Sequence, residues 1–284
     1  MSDRKQKLAE IFKDTQNLYT TDNTLQKAVN DCKIELFDSS DYPQLPSPLP
    51  YPGIVHVTKR RSFEAAMKNQ REHPAWKICV LNFASATRPG GGVKDGSSAQ
   101  EESLCRCSTL YPSLDQRLLW QQYYDVNRTA QDNLHTDTCI YSSDIVIFKS
   151  DDDYPVLLSR QDWITVDVIS CAAPNLRSNP RNHFNPDFGK PASISDEELY
   201  QLHVNRARHL LHVAASKEND CIILGAFGCG AFANDPNIVA KAYRDVLPEY
   251  LSFFQLIEFA VYCRPNETMN YEAFDKTISN INDL

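Results

Sequence analysis

The stretch Cys221-Ile-Ile-Leu-Gly-Ala-Phe-Gly-Cys-Gly-Ala-Phe-Ala-Asn-Asp-Pro236 begins with a short apolar run and continues with three spaced glycines. It ends with Asp235, which can cap a helix, and Pro236, which suits the first turn of one. A glycine-rich loop between a strand and a helix is where open α/β sheets bind ligands, because its N–H groups can curve around an anion. The loop matches neither the P-loop nor the dinucleotide-binding fingerprint. The sequence predicts an anion-binding loop here, with a plain tight turn as the alternative.

Short apolar runs alternate with helical segments on both sides of this stretch. Strands are predicted at residues 54–58, 77–84, 139–148, 164–171, 221–225 and 256–263. Helices are predicted at residues 63–70, 102–107, 114–130, 196–216, 238–247 and 271–281. This alternation is typical of the α/β class, in which helices flank a mostly parallel or mixed sheet.

The first 53 residues have a different pattern. Residues 4–19 and 24–32 are predicted to be helices, because apolar residues recur among charges near helical spacing. Five prolines in residues 39–53 exclude a helix or a central strand from that segment. We expect a helical N-terminal extension with a proline-rich connector at 1–53, followed by one α/β domain at 54–284.

Charge and cysteine content indicate what kind of partner and which compartment this protein has. A formal net charge of −8 argues against a broad electrostatic grip on nucleic acid or on an anionic membrane. Nine cysteines without a Cys-x-x-Cys pair indicate reduced, buried thiols. The N-terminus lacks an apolar signal core, and no run approaches the ~20 apolar residues of a membrane span. These features predict a cytoplasmic protein.

Metal-binding patterns are also missing from the sequence. The predicted helix at 196–216 carries His203, His209 and His212, but it has no His-Glu-x-x-His arrangement. We expect these histidines to be surface and packing residues. No metal site and no cofactor are predicted.

A second glycine cluster lies in the stretch Arg88-Pro-Gly-Gly-Gly-Val-Lys-Asp-Gly-Ser-Ser-Ala-Gln-Glu-Glu102. The chain has only 9 glycines, and seven of them lie in this stretch or in the loop that follows Leu224. Glycine costs conformational entropy on folding, so such clusters indicate sharp turns or close approach to a ligand. Two loops of this kind together favour a binding site.

The adjacent acids Glu101 and Glu102 are candidates for catalysis. In most glycosidases two carboxylates flank the scissile bond from opposite sides, and neighbours on a helix diverge by about 100°. The two acids should therefore have different tasks, one orienting a sugar hydroxyl and the other acting as general acid and base. The alternative is a pair of first-turn acids that interact favourably with the helix dipole.

These residues carry a family resemblance. The run Asn82-Phe-Ala-Ser-Ala-Thr-Arg-Pro-Gly-Gly-Gly92, followed by Gln100-Glu-Glu102, resembles the signature of poly(ADP-ribose) glycohydrolases. The loop at residues 225–236 is similar to the second diphosphate loop of the compact, bacterial-type members. The resemblance extends over nearly the whole chain. It implies a macrodomain-like, three-layer α/β/α fold with a mixed sheet and ADP-ribose in a cleft at its carboxyl edge.

The resemblance also implies roles for individual residues. Glu102 matches the acid that protonates the departing 2′-oxygen of the ribose–ribose bond and then activates water, and Glu101 matches the residue that holds ribose hydroxyls. Phe232 matches an aromatic that packs against a bound ribose. At Ser85 some relatives have asparagine. The substrate-binding residues predicted in this way are Ser85, Gly90, Gly91, Gly92, Gln100, Gly225, Gly228, Cys229, Gly230, Ala231 and Phe232.

The expected partners follow from the same resemblance: poly(ADP-ribose) and ADP-ribosylated proteins as substrates, with ADP-ribose released mainly from chain ends. We expect a monomer that binds neither membranes nor specific nucleic-acid sequences. Two alternatives stay open. The first is a reader that binds ADP-ribose without cleaving it, and the second is a hydrolase of another ADP-ribosyl linkage. Retention of both Glu101 and Glu102 counts against the reader.

Overall fold

A computed structural model describes residues 2–181 and 189–283. Within these ranges the chain forms seven strands: β1 (Ile34–Phe37), β2 (Ile54–Thr58), β3 (Ile78–Phe83), β4 (Cys139–Ile147), β5 (Ile164–Cys171), β6 (Cys221–Leu224) and β7 (Leu256–Ala260). The α-helices are α1 (Asp3–Thr21), α2 (Asn23–Asp31), α3 (Ser62–Glu72), α4 (Gln100–Cys107), α5 (Leu110–Leu114), α6 (Arg117–Leu119), α7 (Asp125–Ala130), α8 (Asp196–Ser216), α9 (Pro236–Val246) and α10 (Met269–Ile278).

All seven strands join one mixed sheet in the order β1-β4-β5-β3-β6-β7-β2. The five strands from β5 to β2 run parallel, whereas β1 and β4 are antiparallel to their neighbours at one edge. Because parallel strands end at the same edge, the loops that follow β3 and β6 lie side by side. This topology brings the two glycine-rich stretches together.

Helices cover both faces of the sheet. Successive side chains of a strand point to opposite faces, and in β3 Cys79 and Leu81 contact one apolar core while Ile78 and Val80 contact the other. Helices α8, α9 and α10 close the first core, and helices α3, α4 and α5 close the second. The prediction of a three-layer α/β/α fold with a mixed sheet is confirmed.

The N-terminal residues contribute to both the second core and the sheet. In α1, Phe12 meets the ring of Tyr111 edge-on at 5.1 Å, and Thr15 Oγ1 donates a 2.6 Å hydrogen bond to the Arg106 carbonyl. The helices predicted in this extension are confirmed. Strand β1 was not predicted, since four residues give a weak alternating signal, yet it pairs with β4 at the sheet edge. The domain boundary at residue 53 stays a prediction.

The helix predicted at residues 114–130 begins three residues later, at Arg117, because α5 ends at Leu114. From there α6, a five-residue π-helical segment (Trp120–Tyr124) and α7 follow one another without a break to Ala130, so the helix is confirmed but its π-helical middle was not predicted. The apolar spacing that suggested one helix comes from residues such as Leu119, Tyr123 and Tyr124, which are buried under the sheet.

All nine cysteines are free. In the described part of the chain, every helix is too short or too polar to span a bilayer.

Candidate active site

A cleft of about 920 Å³ opens at the carboxyl edge of the parallel strands, between the two glycine-rich loops. We call residues 88–99 the first glycine loop and residues 225–235 the second. Most of the predicted site residues line this cleft: Ser85, Gly91, Gly92, Gln100, Glu101, Glu102, Gly228, Gly230, Ala231 and Phe232. Gly90, Gly225 and Cys229 are outside the lining. The fold therefore brings the two motifs into one site.

The two candidate carboxylates lie in the first turn of α4, which begins at Gln100. Both are buried, with Glu101 3 % and Glu102 8 % exposed. The partial positive charge of a helix N-terminus favours carboxylates at this position. The helix dipole also stabilises carboxylates that remain exposed to solvent. It therefore does not explain why Glu101 and Glu102 are both buried beside a cleft.

The two carboxylate oxygens of Glu102 differ in their hydrogen bonding within the described residues. Its Oε1 accepts a 2.9 Å hydrogen bond from the amide of Gly92. Its Oε2 is buried and receives no hydrogen bond from any residue in the described ranges. Buried carboxylate oxygens are ordinarily satisfied. Glu102 Oε2 therefore has hydrogen-bonding capacity that no protein group in the described ranges uses.

The carboxylate of Glu101 is instead held by protein groups. Its Oε2 accepts from the Ser85 amide at 2.8 Å, and the Asn82 side-chain amide lies 3.4 Å from its Oε1. Burial and the neighbouring charge of Glu102 raise the pKa of Glu101 well above its usual range. Glu101 therefore keeps its proton at pH values where isolated carboxyl groups are ionised.

The first glycine loop shapes this acid pair. Gly91 has φ +53, and a Cβ atom at this position would lie 2.5 Å from Glu102 Oε1 and 3.2 Å from Glu101 Oε2. Only glycine combines the left-handed backbone with so close an approach. The triple glycine thus serves the carboxylates themselves, a role that the sequence did not reveal.

Gln100 connects the start of α4 to the sheet. Its Oε1 accepts from the Phe83 amide at 2.9 Å, while its Nε2 donates to the Leu81 carbonyl at 2.8 Å and to Ser62 Oγ at 3.0 Å. These contacts fix the helix start against β3 and so orient the following acids. Substrate contact by Gln100 stays a prediction.

The second glycine loop offers unpaired amides. The N–H groups of Gly228, Gly230, Ala231 and Phe232 donate no backbone hydrogen bond to any other described residue. All four residues line the cleft, and Gly228 is buried. Neighbouring backbone amides in a turn can form a concavity that binds anions. The loop therefore has the groups required to hold a phosphate.

Several cleft residues escaped the sequence analysis: Arg61, His135, Arg177 and Tyr262. The Arg61 guanidinium lies 4.0 Å from the ring centroid of Tyr262, and that of Arg177 lies 5.8 Å from the centroid of Phe232. Arg61, Arg177 and Tyr262 follow β2, β5 and β7, so the general rule that ligands bind at strand carboxyl ends could have located them. His135 precedes an antiparallel strand and gives no such signal.

The histidines of α8 contribute to the interior. His203 and His209 are 1 % exposed, so they are packing residues and do not lie on the surface. Within residues 2–181 and 189–283, no group of three or more His, Cys, Asp or Glu side chains has an arrangement that could hold a metal ion.

Comparison with known proteins gives concordant matches. The family model for the catalytic domain of microbial-type PARG, poly(ADP-ribose) glycohydrolase, matches residues 3–150. The solved structure of poly(ADP-ribose) glycohydrolase from Thermomonospora curvata is 26% identical, with 95% of this chain and 99% of that chain covered and a TM-score of 0.79. That from Deinococcus radiodurans, in complex with ADP-ribose, is 34% identical, with coverages of 90% and 97% and a TM-score of 0.73. No curated protein sequence matches this chain.

Proposed function

Since the chain belongs to the family of microbial-type poly(ADP-ribose) glycohydrolases, whose model covers more than half of its length, we propose that it cleaves ribose–ribose bonds with Glu102 as general acid and base. The chain is a glycoside hydrolase with a macrodomain-like fold. The observation that carries the assignment is that Glu102 lines a cleft between two glycine loops while its Oε2 accepts no hydrogen bond from the described residues.

The proposed reaction has two proton transfers through Glu102. In the first, Glu102 gives its proton to the 2′-oxygen as the bond between that oxygen and the ribose C1″ breaks, leaving an oxocarbenium-like ribose. In the second, water attacks C1″ and loses a proton to Glu102, which restores the acid.

The rest of the cleft provides binding groups. We assign the diphosphate to the free amides of the second glycine loop, whose backbone dipoles suit an anion. To Glu101, which is held by the Ser85 amide and the Asn82 side chain, we assign the binding of ribose hydroxyls. Phe232 lies at the edge of the same loop and offers an apolar surface to a sugar. Binding energy from these groups orients C1″ toward Glu102.

The test of this function is an assay of the purified protein on labelled poly(ADP-ribose), paired with calorimetric titration of ADP-ribose. We expect ADP-ribose to bind and the polymer to be cleaved. Tight binding of ADP-ribose without cleavage of the polymer would identify a reader instead. Cleavage of an ADP-ribosyl ester with an intact polymer would identify another linkage.

We further propose that the enzyme cuts mainly at chain ends. Ser2, which caps α1, and Arg4, Lys5 and Leu8 in its first two turns form part of the cleft wall. A net charge of −8 gives little general attraction for a polyanion. Free ADP-ribose should therefore dominate the products from the first time points, as measured by sizing the products. Early release of long oligomers, before the monomer, would contradict this expectation.

A change of Glu101→Gln should weaken both binding and catalysis. The new amide would place an NH₂ group against the Ser85 N–H or the Asn82 NH₂, so one hydrogen bond is lost and the ribose is held less well. We expect roughly tenfold losses in ADP-ribose affinity and in single-turnover rate. Calorimetry and rapid-quench assays measure the two quantities, and wild-type values for both would remove Glu101 from the site.

The Glu101→Gln variant should also differ from the wild type in how its stability depends on pH. A carboxyl group whose folded-state pKa is raised favours the folded protein at low pH, and this contribution is lost as the pH rises through the raised value. The stability of the wild type relative to Glu101→Gln should therefore fall from about pH 4.5 upward. Denaturant unfolding of both proteins at several pH values provides the comparison.

The natural substrate, the oligomeric state, the compartment and the domain division are also proposals. We propose that the natural substrates are poly(ADP-ribose) on ADP-ribosylated proteins, and that the enzyme acts as a cytoplasmic monomer. Nine free cysteines are in keeping with a reducing compartment. We also retain residues 1–53 as an extension and 54–284 as the catalytic domain.

A further inference from the structure

Helix α8 lies behind the second glycine loop and directs one buried histidine toward it. His203 is 1 % exposed, and its Nε2 lies 2.8 Å from the side-chain Oδ1 of Asn234. Asn234 is itself 2 % exposed and closes the loop just before α9. Neither residue lines the cleft, so any influence on substrate must pass through the loop.

The side-chain amide of Asn234 holds three carbonyl groups. Its Nδ2 is 2.7 Å from the Pro174 carbonyl, 3.1 Å from that of Gly228 and 3.3 Å from that of Phe232. Three acceptors around one nitrogen fix the orientation of the amide. Gly228 and Phe232 carry two of the free amides of the loop, and Pro174 belongs to the segment that follows β5. One side chain therefore joins two segments of the cleft.

His203 fixes that side chain from the other end. Since Asn234 Oδ1 can only accept, His203 Nε2 must carry a proton. Burial lowers the pKa of His203 to about 4, so the ring is neutral near pH 7 and its single N–H is directed at Asn234. Without this donor, Asn234 Oδ1 would be a buried acceptor with no partner, and the amide could rotate away from the three carbonyls.

The loop backbone is fitted to this arrangement. Gly228 has φ +79, and a Cβ atom there would lie 2.8 Å from Asn234 Nδ2 and 2.7 Å from the Ala173 Cβ. Ala233 also has a left-handed backbone, with φ +57, although it is not glycine. Such a residue costs conformational energy unless its surroundings hold it in place. The Ala233 amide bonds the Gly230 carbonyl, and Asn234 Nδ2 bonds the carbonyl of the preceding residue, Phe232, so the Asn234 side chain contributes to that restraint.

We propose that His203 is a positioning residue for the hydrolase: through Asn234 it holds the second glycine loop in the shape that binds the substrate diphosphate. This inference rests on the proposed function. It assigns a specific task to a helix that touches no substrate, and it predicts that losing the His203 donor affects binding more than the chemical step.

The main experiment compares His203→Leu with His203→Gln. Leucine removes the donor, and we expect ADP-ribose affinity to fall roughly tenfold to a hundredfold, the range for a buried polar group left without a partner. The Michaelis constant for the polymer should rise by a similar factor, with a smaller change in kcat. Glutamine can still donate from Nε2 and should restore most of the affinity.

A matched control lies on the same helix. His212 makes hydrogen bonds with the Pro43 carbonyl at 2.7 Å and with the Tyr250 hydroxyl at 3.3 Å, away from the second glycine loop. His212→Leu should lower thermal stability without changing ADP-ribose affinity. If His203→Leu and His212→Leu had equal, wild-type affinity, the proposal would be overturned.

Asn234→Ser provides an independent route should His203→Leu fail to fold. Serine lacks the amide that reaches three carbonyls, so binding should weaken, and adding His203→Leu should cost little more because both changes break one connection. Additive effects, or unchanged affinity in Asn234→Ser, would refute the coupling. A wild-type protein that neither bound ADP-ribose nor cleaved the polymer would instead refute the proposed function.

Discussion

Replacing Glu102 by glutamine should lower single-turnover hydrolysis of poly(ADP-ribose) by roughly 10²–10⁴-fold, the contribution typical of a general acid or base, or by more if both proton transfers pass through this group. Glutamine keeps the shape of the side chain and can still accept from the Gly92 amide. It cannot release and recover a proton. Affinity for ADP-ribose should survive, because the free amides of the second glycine loop are unchanged.

The matched control is Glu197→Gln. Glu197 also lies in the first turn of a helix, α8, but it is exposed. If first-turn acids serve only the helix dipole, both variants should lose about 0.3–1 kcal/mol of stability and neither should lose activity. We expect the rate loss in Glu102→Gln alone. A Glu102→Gln protein that hydrolysed at the wild-type rate would remove this residue from the mechanism.

Gly91→Ala should have the second largest effect. A methyl group 2.5 Å from Glu102 Oε1 must displace the carboxylate or the loop, and φ +53 is unfavourable for alanine. A displacement near 1 Å can cost about 10²-fold in rate, and the left-handed backbone adds roughly 1–2 kcal/mol of instability. Single-turnover kinetics at a temperature where the variant is fully folded separate these two effects.

The route of this effect can also be tested. If Gly91 acts by holding Glu102 in place, then Gly91→Ala should cost little further activity in a protein that already carries Glu102→Gln. Non-additive losses are expected for residues that act as a unit. Independent, multiplicative losses would show that the glycine contributes by another route.

The bounds of helices and strands could be predicted from the sequence where the apolar periodicity is strong. The strand predicted at residues 164–171 and the helix predicted at 196–216 have the observed bounds, because long runs of one period leave few alternatives. Local patterns cannot show pairing, so the four-residue strand β1 was missed. The π-helical segment at Trp120–Tyr124 was missed for the same reason, since its hydrogen bonds leave no mark on apolar spacing.

The sequence located the two loops and the acids of the candidate site, but it did not show the contacts between them. Glycine clusters in a glycine-poor chain, with adjacent acids, marked both loops before any coordinates. The sequence did not show that Gly91 accommodates the carboxylates, nor that His203 reaches Asn234, because these contacts depend on how distant segments pack. Residues such as Arg177 have ordinary sequence surroundings and acquire their place only from the sheet order.

That sheet order also determines what can fold independently. Residues 3–150 contain both candidate carboxylates, yet within them only β1 and β4 find a partner strand. The neighbours of β3 are β5 and β6, and β2 pairs only with β7 at residues 256–260. Such distant pairing gives a high contact order, which slows folding, and incomplete chains expose unpaired strand edges that promote aggregation. We therefore expect that a chain ending at residue 150 would not fold by itself, because β2 and β3 would lack their partner strands.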